Sequence, residues 1–168
     1  MISPDHCALL GRYNRWQNQS LLNAAATLSS DALHQDRGAF FGSILGTFNH
    51  LLWGDQIWMS RFAGWDKPEG GIAQSSTLFA DLAAFRPERE DTDARLAQWT
   101  AARTPGDLDG MLSWYSGATG RHIERPVWVC LTHLFNHQTH HRGQIHAMLT
   151  AAGAKPDDTD LVFMPDAA

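Results

Sequence analysis

Only two cysteines, Cys7 and Cys130, occur in the 168 residues, and they lie far apart in sequence. A disulfide scaffold would use more of them. Both sit among apolar residues of expected helices, so they read as buried, reduced thiols. Basic residues are also scarce: 13 Lys and Arg against 18 Asp and Glu give a net charge of −5 with histidines neutral. No Lys/Arg cluster interrupts that balance, which argues against a nucleic-acid partner. No apolar run approaches the ~20 residues of a membrane span. The start, Met1-Ile2-Ser3-Pro4-Asp5, lacks the basic and apolar regions of a signal peptide. The expectation is a cytoplasmic protein without a membrane partner. Gly-rich phosphate loops, nucleophile elbows and Cys-x-x-Cys pairs are missing. So is His-Glu-x-x-His, which argues against a zincin-type protease.

What is present is ordinary in bulk and unusual in detail. A hydrophobic content of 43% with 18% charge fits a globular protein, and the length suits one domain spanning 1–168. Seven tryptophans are many for this length and suggest a core and pocket walls rich in flat aromatic surface.

Apolar residues recur at helical spacing through most of the chain. Ser3-Pro4-Asp5 reads as a helix start, with a capping serine, a first-turn proline and an acid favoured by the helix dipole. That helix is expected to reach about Leu28. A second is expected from about Ala39 to Phe62, and Ala63 to Gly71 then end it with a long loop that can lie over a pocket. A third is expected from about Leu78 to Ala102, kinked or split near Arg86 by Pro87. Met111 to Ser116, the turn Gly117-Ala118-Thr119-Gly120, and Arg121 to Glu124 read as a small β-hairpin. The last helix is expected from near Pro126 to Gly153, with Pro156 as a stop and a Pro/Asp-rich tail over the surface. Four long helices predict an all-α four-helix bundle, and such bundles build metal sites from facing helices.

The stretch Phe135 to Gln144 carries three histidines in five residues, within the last expected helix. His137 and His141 are four apart, which stacks two imidazoles on one helix face, within reach of a single metal ion. On a helical wheel Val127, Cys130, Leu134, Ile145, Met148 and Leu149 define an apolar arc. His141 falls inside it and His137 on its shoulder. His133, His140 and Gln144 lie further out, and His146 lies opposite, near Phe135 and Arg142. The pair His133/His137 has equal spacing and less burial, so it ranks second. Spacing alone leaves a hydrogen-bonded histidine pair open beside a metal site.

His50 is the candidate third ligand. Its place on the second helix is away from the centre of the apolar arc, on a stripe with Ser43, Gly46, Thr47, Gly54 and Ile57. Small residues there allow a metal pocket, a tightly packed helix or a subunit interface. Asp55 falls within the apolar arc, where an unpaired carboxylate is costly. It fits either an orienting partner for a ligand histidine or, with slight preference, a salt bridge to an arginine. His6, His34 and His122 read as exposed or locally bonded.

Three places in the chain resemble the DinB family of metalloenzyme-like proteins. Tyr13-Asn14-Arg15-Trp16 looks like the family's first-helix motif, and Phe48-Asn49-His50-Leu51-Leu52-Trp53-Gly54-Asp55 like its second-helix motif. His137-x-x-His140-His141-Arg142-Gly143-Gln144 looks like its signature in the last long helix. The resemblance implies an up-up-down-down four-helix bundle, usually a homodimer. It also implies a divalent metal held by His50, His137 and His141. Relatives in the wider superfamily include thiol-dependent transferases and a maleylpyruvate isomerase that use low-molecular-weight thiols.

The expected function is therefore a metal-dependent enzyme, with thiol S-transfer ahead of related isomerase or hydrolase chemistry. Three neutral histidines leave coordination positions open on zinc, nickel or a similar ion. The alternative is a non-catalytic, metal-binding stress-response dimer, in which the ion cross-links helices. No side chain stands out as a general acid or base.

Overall fold

The computed structural model describes residues 2–166. Among them are four long helices: α1 (Pro4–Ala25), α3 (Ile44–Ala63), α4 (Leu82–Ala101) and α5 (Val127–Ala151). A short helix, α2 (Ser30–His34), lies in the connection between the first two long helices. Ser29 caps it by accepting from the Ala32 N–H. The hairpin is formed by β1 (Met111–Ser116) and β2 (Arg121–Pro126), antiparallel, with Trp114 opposite Ile123. The chain is thus mostly helical with one small two-stranded sheet.

Helix ends follow the local capping chemistry more closely than the apolar periodicity. The second long helix begins at Ile44, five residues later than the pattern suggested, because Ser43 accepts from the Gly46 N–H. The residues before it make a tight bridge between Ala39 and Gly42, with Gly42 at φ +74°. Phe41 therefore reaches the rings of His50 and His141 from a loop. The third long helix begins at Leu82, where Asp81 accepts from the Ala84 N–H. It runs through Pro87 as one element; the expected split does not occur.

Each long helix has two long neighbours: α1 lies against α4 and α5, and α3 lies against α5 and α4. The main core sits between them, with Leu22, Ile44, Phe48, Leu52, Phe85 and Leu149 all fully buried. The tryptophans meet the expectation in part: Trp58, Trp65 and Trp99 pack against buried clusters. None is fully buried, because a large ring with one N–H fits best where one edge reaches the surface. The tail from residue 155 lies on α1, where Gln17 donates to the Asp158 carbonyl and Tyr13 to that of Thr159. No described helix is long and apolar enough to cross a membrane.

A charged network crosses the core and ties all four long helices. Arg89 on α4 donates to Asp55 on α3 and to Asp93 on α4, each at 2.7 Å. Asp93 also accepts from Asn14 and Asn18 on α1. Asp55 accepts from Gln138 on α5 at 2.9 Å, and Arg142 donates to Asn14. Arg89 and Asp55 are 0% exposed. Ions so buried persist only when paired and hydrogen-bonded.

Candidate metal centre

The structure brings His50, His137 and His141 together. One ring nitrogen of each lies within 4.8 Å of those of the other two. His50 comes from α3 and the other two from α5, one turn apart. The neutral wheel position of His50 is resolved by long-range packing. Its ring is only 3% exposed because Phe41 stacks on it at 3.6 Å and 17°, and because residues 64–81 fold against that side of α3.

Gly54 makes the approach of α5 possible. A Cβ there would stand 2.6 Å from the His137 Cε1. At Gly46 a Cβ would collide with the Phe41 carbonyl. The small-residue stripe is thus filled from within the chain, by a ligand candidate and by the loop that covers His50.

The ring nitrogens of the three residues converge, and the partners of two rings fix where their lone pairs lie. His50 Nδ1 lies 2.8 Å from Ser75 Oγ, and that hydroxyl donates to the Ile72 carbonyl at 2.7 Å. His141 Nδ1 donates to Gln144 Oε1 at 2.8 Å, since an amide oxygen only accepts. In both rings Nε2 is left as the lone pair. His50 Nε2 and His137 Nε2 face each other at 3.2 Å. Nitrogens bonded to one tetrahedral zinc stand about 3.3 Å apart, from bond lengths of about 2.0–2.1 Å. The His137 Nδ1 is buried and has no partner, so that ring gains nothing from its other edge. Two ring nitrogens 3.2 Å apart, a third within 4.8 Å and a His137 Nδ1 without a partner fit a divalent cation between the rings.

Electrostatics agree. Burial pushes His50 down to about 4, with His141 adding to the shift. Burial pushes His137 down to about 3, with His141, His50, His133 and His140 adding. His141 is also lowered by burial, against the hydrogen bond to Gln144, which raises it. Neutral imidazoles at pH 7 are the metal-binding form.

The other sequence candidates separate cleanly. His133 is exposed and lies beside Trp58, with ring centroids 5.1 Å apart, outside the cluster. His140 is exposed. His146 is half-buried beside Arg142, and the opposite side of α5 is not a solvent face: Phe135 and Arg142 are buried because α5 also packs on α1. Asp55 does not orient a ligand; it takes the arginine partner, Arg89. The side chains that hydrogen-bond the candidate rings are Ser75 and Gln144; Gln144 closes the last-helix motif, whereas Ser75 carried no sequence signal. Both cysteines are buried and free, and burial pushes Cys7 up to about 11 and raises Cys130. Neither supplies a reactive thiolate.

A cavity of about 580 Å3 is lined by Phe41, Gly46, Asn49 and Phe79, and by none of the three histidines. Trp53 flanks His50 at 6.1 Å, and Arg61 lies over Trp58 and Trp114 where the hairpin meets α3.

A mostly helical protein with three convergent histidines on two helices is, as a class, a candidate metalloprotein. The sequence model of the DinB family matches residues 3–168, and the chain belongs to that family. It is similar to Protein DinB of Bacillus subtilis (strain 168), at 30% identity over 159 residues, covering 93% of this chain and 91% of the relative.

Proposed function

We propose that this chain is a metal-dependent enzyme in which His50, His137 and His141 hold one divalent ion, zinc or nickel, for thiol-dependent transfer or related isomerase or hydrolase chemistry. The observation that carries the reading is the arrangement of lone pairs. Ser75 and Gln144 occupy the Nδ1 edges of His50 and His141, and His137 brings its Nε2 to 3.2 Å from that of His50 while its own Nδ1 stays without a partner. Neutral ligands leave the ion its full charge, which favours deprotonation of a bound thiol or water at neutral pH. The protein's own thiols are buried, so the thiol is a separate low-molecular-weight substrate. The aromatic side chains beside His50, Phe41 and Trp53, with the cavity that Phe41 also lines, form the surface for an apolar electrophile.

In this reading residues 1–168 form a single domain whose long helices make an up-up-down-down four-helix bundle. Family membership and the ring of neighbouring helices support it. The protein acts as a cytoplasmic homodimer, without nucleic acid or membrane. Since the stripe on α3 is filled from within the chain, the dimer uses another face. Light scattering at micromolar concentration should give twice the monomer mass.

The test of the chemistry is spectroscopic. Cobalt-substituted protein titrated with low-molecular-weight thiols near pH 7 should develop a sulfur-to-metal charge-transfer band, lost in His141→Ala. A spectrum unmoved by several physiological thiols would favour water chemistry or a purely structural ion.

A further inference from the structure

The geometry points to Ser75 as a positioning residue for the metal centre: its hydroxyl fixes the His50 ring with Nδ1 protonated and Nε2 free to ligate. The inference rests on the metal reading above, and its test separates the two.

Ser75 opens the 3-10 turn Ser75–Thr77 and is 0% exposed. Its oxygen has two neighbours, the Ile72 carbonyl at 2.7 Å and His50 Nδ1 at 2.8 Å. A hydroxyl has one proton, and a carbonyl can only accept. The proton therefore goes to Ile72, and a lone pair faces the imidazole. His50 Nδ1 must then carry the ring's single N–H, which leaves the lone pair on Nε2. That is the atom 3.2 Å from His137 Nε2. The other tautomer would set lone pair against lone pair at the serine.

Two further contacts make this arrangement specific. Phe41 stacks on the ring and fixes its plane, so Ser75 decides which edge faces the centre. Asn49, the residue before His50, grips the same turn. Its amide donates to the carbonyls of Ser76 and Phe79 and accepts from the Phe79 N–H. Successive residues of α3 thus hold the loop and are held by it: Asn49 places the turn, and the turn's Ser75 sets His50. Acceptors of this kind raise ligand basicity and lock ring orientation, and their loss commonly weakens metal binding by about 10–100-fold.

The experiment uses the full chain labelled with 15N-histidine, without and with zinc, at pH 7.5. The wild-type ring of His50 should be the Nδ1–H tautomer before zinc is added. In Ser75→Ala the metal-free ring should become a tautomer mixture, and the zinc Kd should rise about 10–100-fold. Ser75→Thr, which keeps the hydroxyl, should restore both. An Nε2–H tautomer in the metal-free wild type would overturn the inference, and that measurement stands even if Ser75→Ala fails to fold. So would a Ser75→Ala protein whose zinc Kd stays within about twofold of wild type, against the loss expected when such an acceptor goes. If wild-type protein takes up no zinc, the metal reading fails on its own, and the metal-free tautomers still decide the role of Ser75.

Discussion

Gly54→Ala separates the metal centre from the fold. The added methyl would lie 2.6 Å from His137 Cε1, 3.3 Å from Nδ1 and 3.5 Å from Nε2. Carbon atoms rest at about 3.5–4.0 Å, so the ring must retreat by about 1 Å. Metal–ligand distances tolerate about 0.2 Å, so the retreat takes Nε2 out of bonding range. Losing one of three ligands should weaken zinc binding by at least about 100-fold, or about 2.8 kcal/mol. Stability should respond differently. Alanine favours a helix interior over glycine by about 1 kcal/mol. His137 is only half-buried and can swing outward, so the overpacking cost falls at the low end of about 1–3 kcal/mol. The two effects nearly offset. Zinc competition against a chromophoric chelator, with urea unfolding of the metal-free protein, would read both quantities. A zinc Kd within about threefold of wild type would refute the reasoning, since a displaced ligand cannot cost so little.

Three other outcomes follow from the same contacts. Arg89→Ala leaves Asp55 and Asp93 buried without their cation, so urea unfolding should show a loss of about 3–5 kcal/mol. Asn49→Ala releases the turn that carries Ser75 and should raise the zinc Kd, by less than Ser75→Ala does, in the same chelator assay. The pH dependence has a definite sign. His50 and His137 titrate at about 4 and about 3 in the folded chain, below the unfolded value of about 6.5. The unfolded state therefore binds more protons below pH 6.5, so metal-free stability is full above that pH and falls towards pH 3–4. The decline should be shallower in His137→Ala when urea midpoints are followed across that window.

Both the mostly helical fold with its hairpin and part of the histidine cluster were legible in the sequence. His137 and His141 are local: a spacing of four on a helix stacks them wherever the helix goes. Asp55 was legible in kind, because a carboxylate in an apolar arc demands a partner. Its identity was not, because Arg89 lies on another helix with nothing in its own neighbourhood to mark it. His50 was placed mostly by motif, since its burial comes from Phe41 and from residues 64–81. Helix starts were misplaced where an apolar residue such as Phe41 reaches its partners from a loop. Gly54 was noticed as small, but what its smallness admits depends on a ring 83 positions later in the chain. Ser75 sits in a stretch whose polarity reads as an ordinary connection, and only the folded loop turns its hydroxyl to the imidazole.

The most direct test of the central claim is the metal content of protein purified without a histidine tag, wild type beside single alanine variants. About one divalent ion per chain is expected in wild type and in His146→Ala, from a single three-nitrogen site. His50→Ala, His137→Ala and His141→Ala should each lose most of it. Full occupancy in His137→Ala would contradict the account.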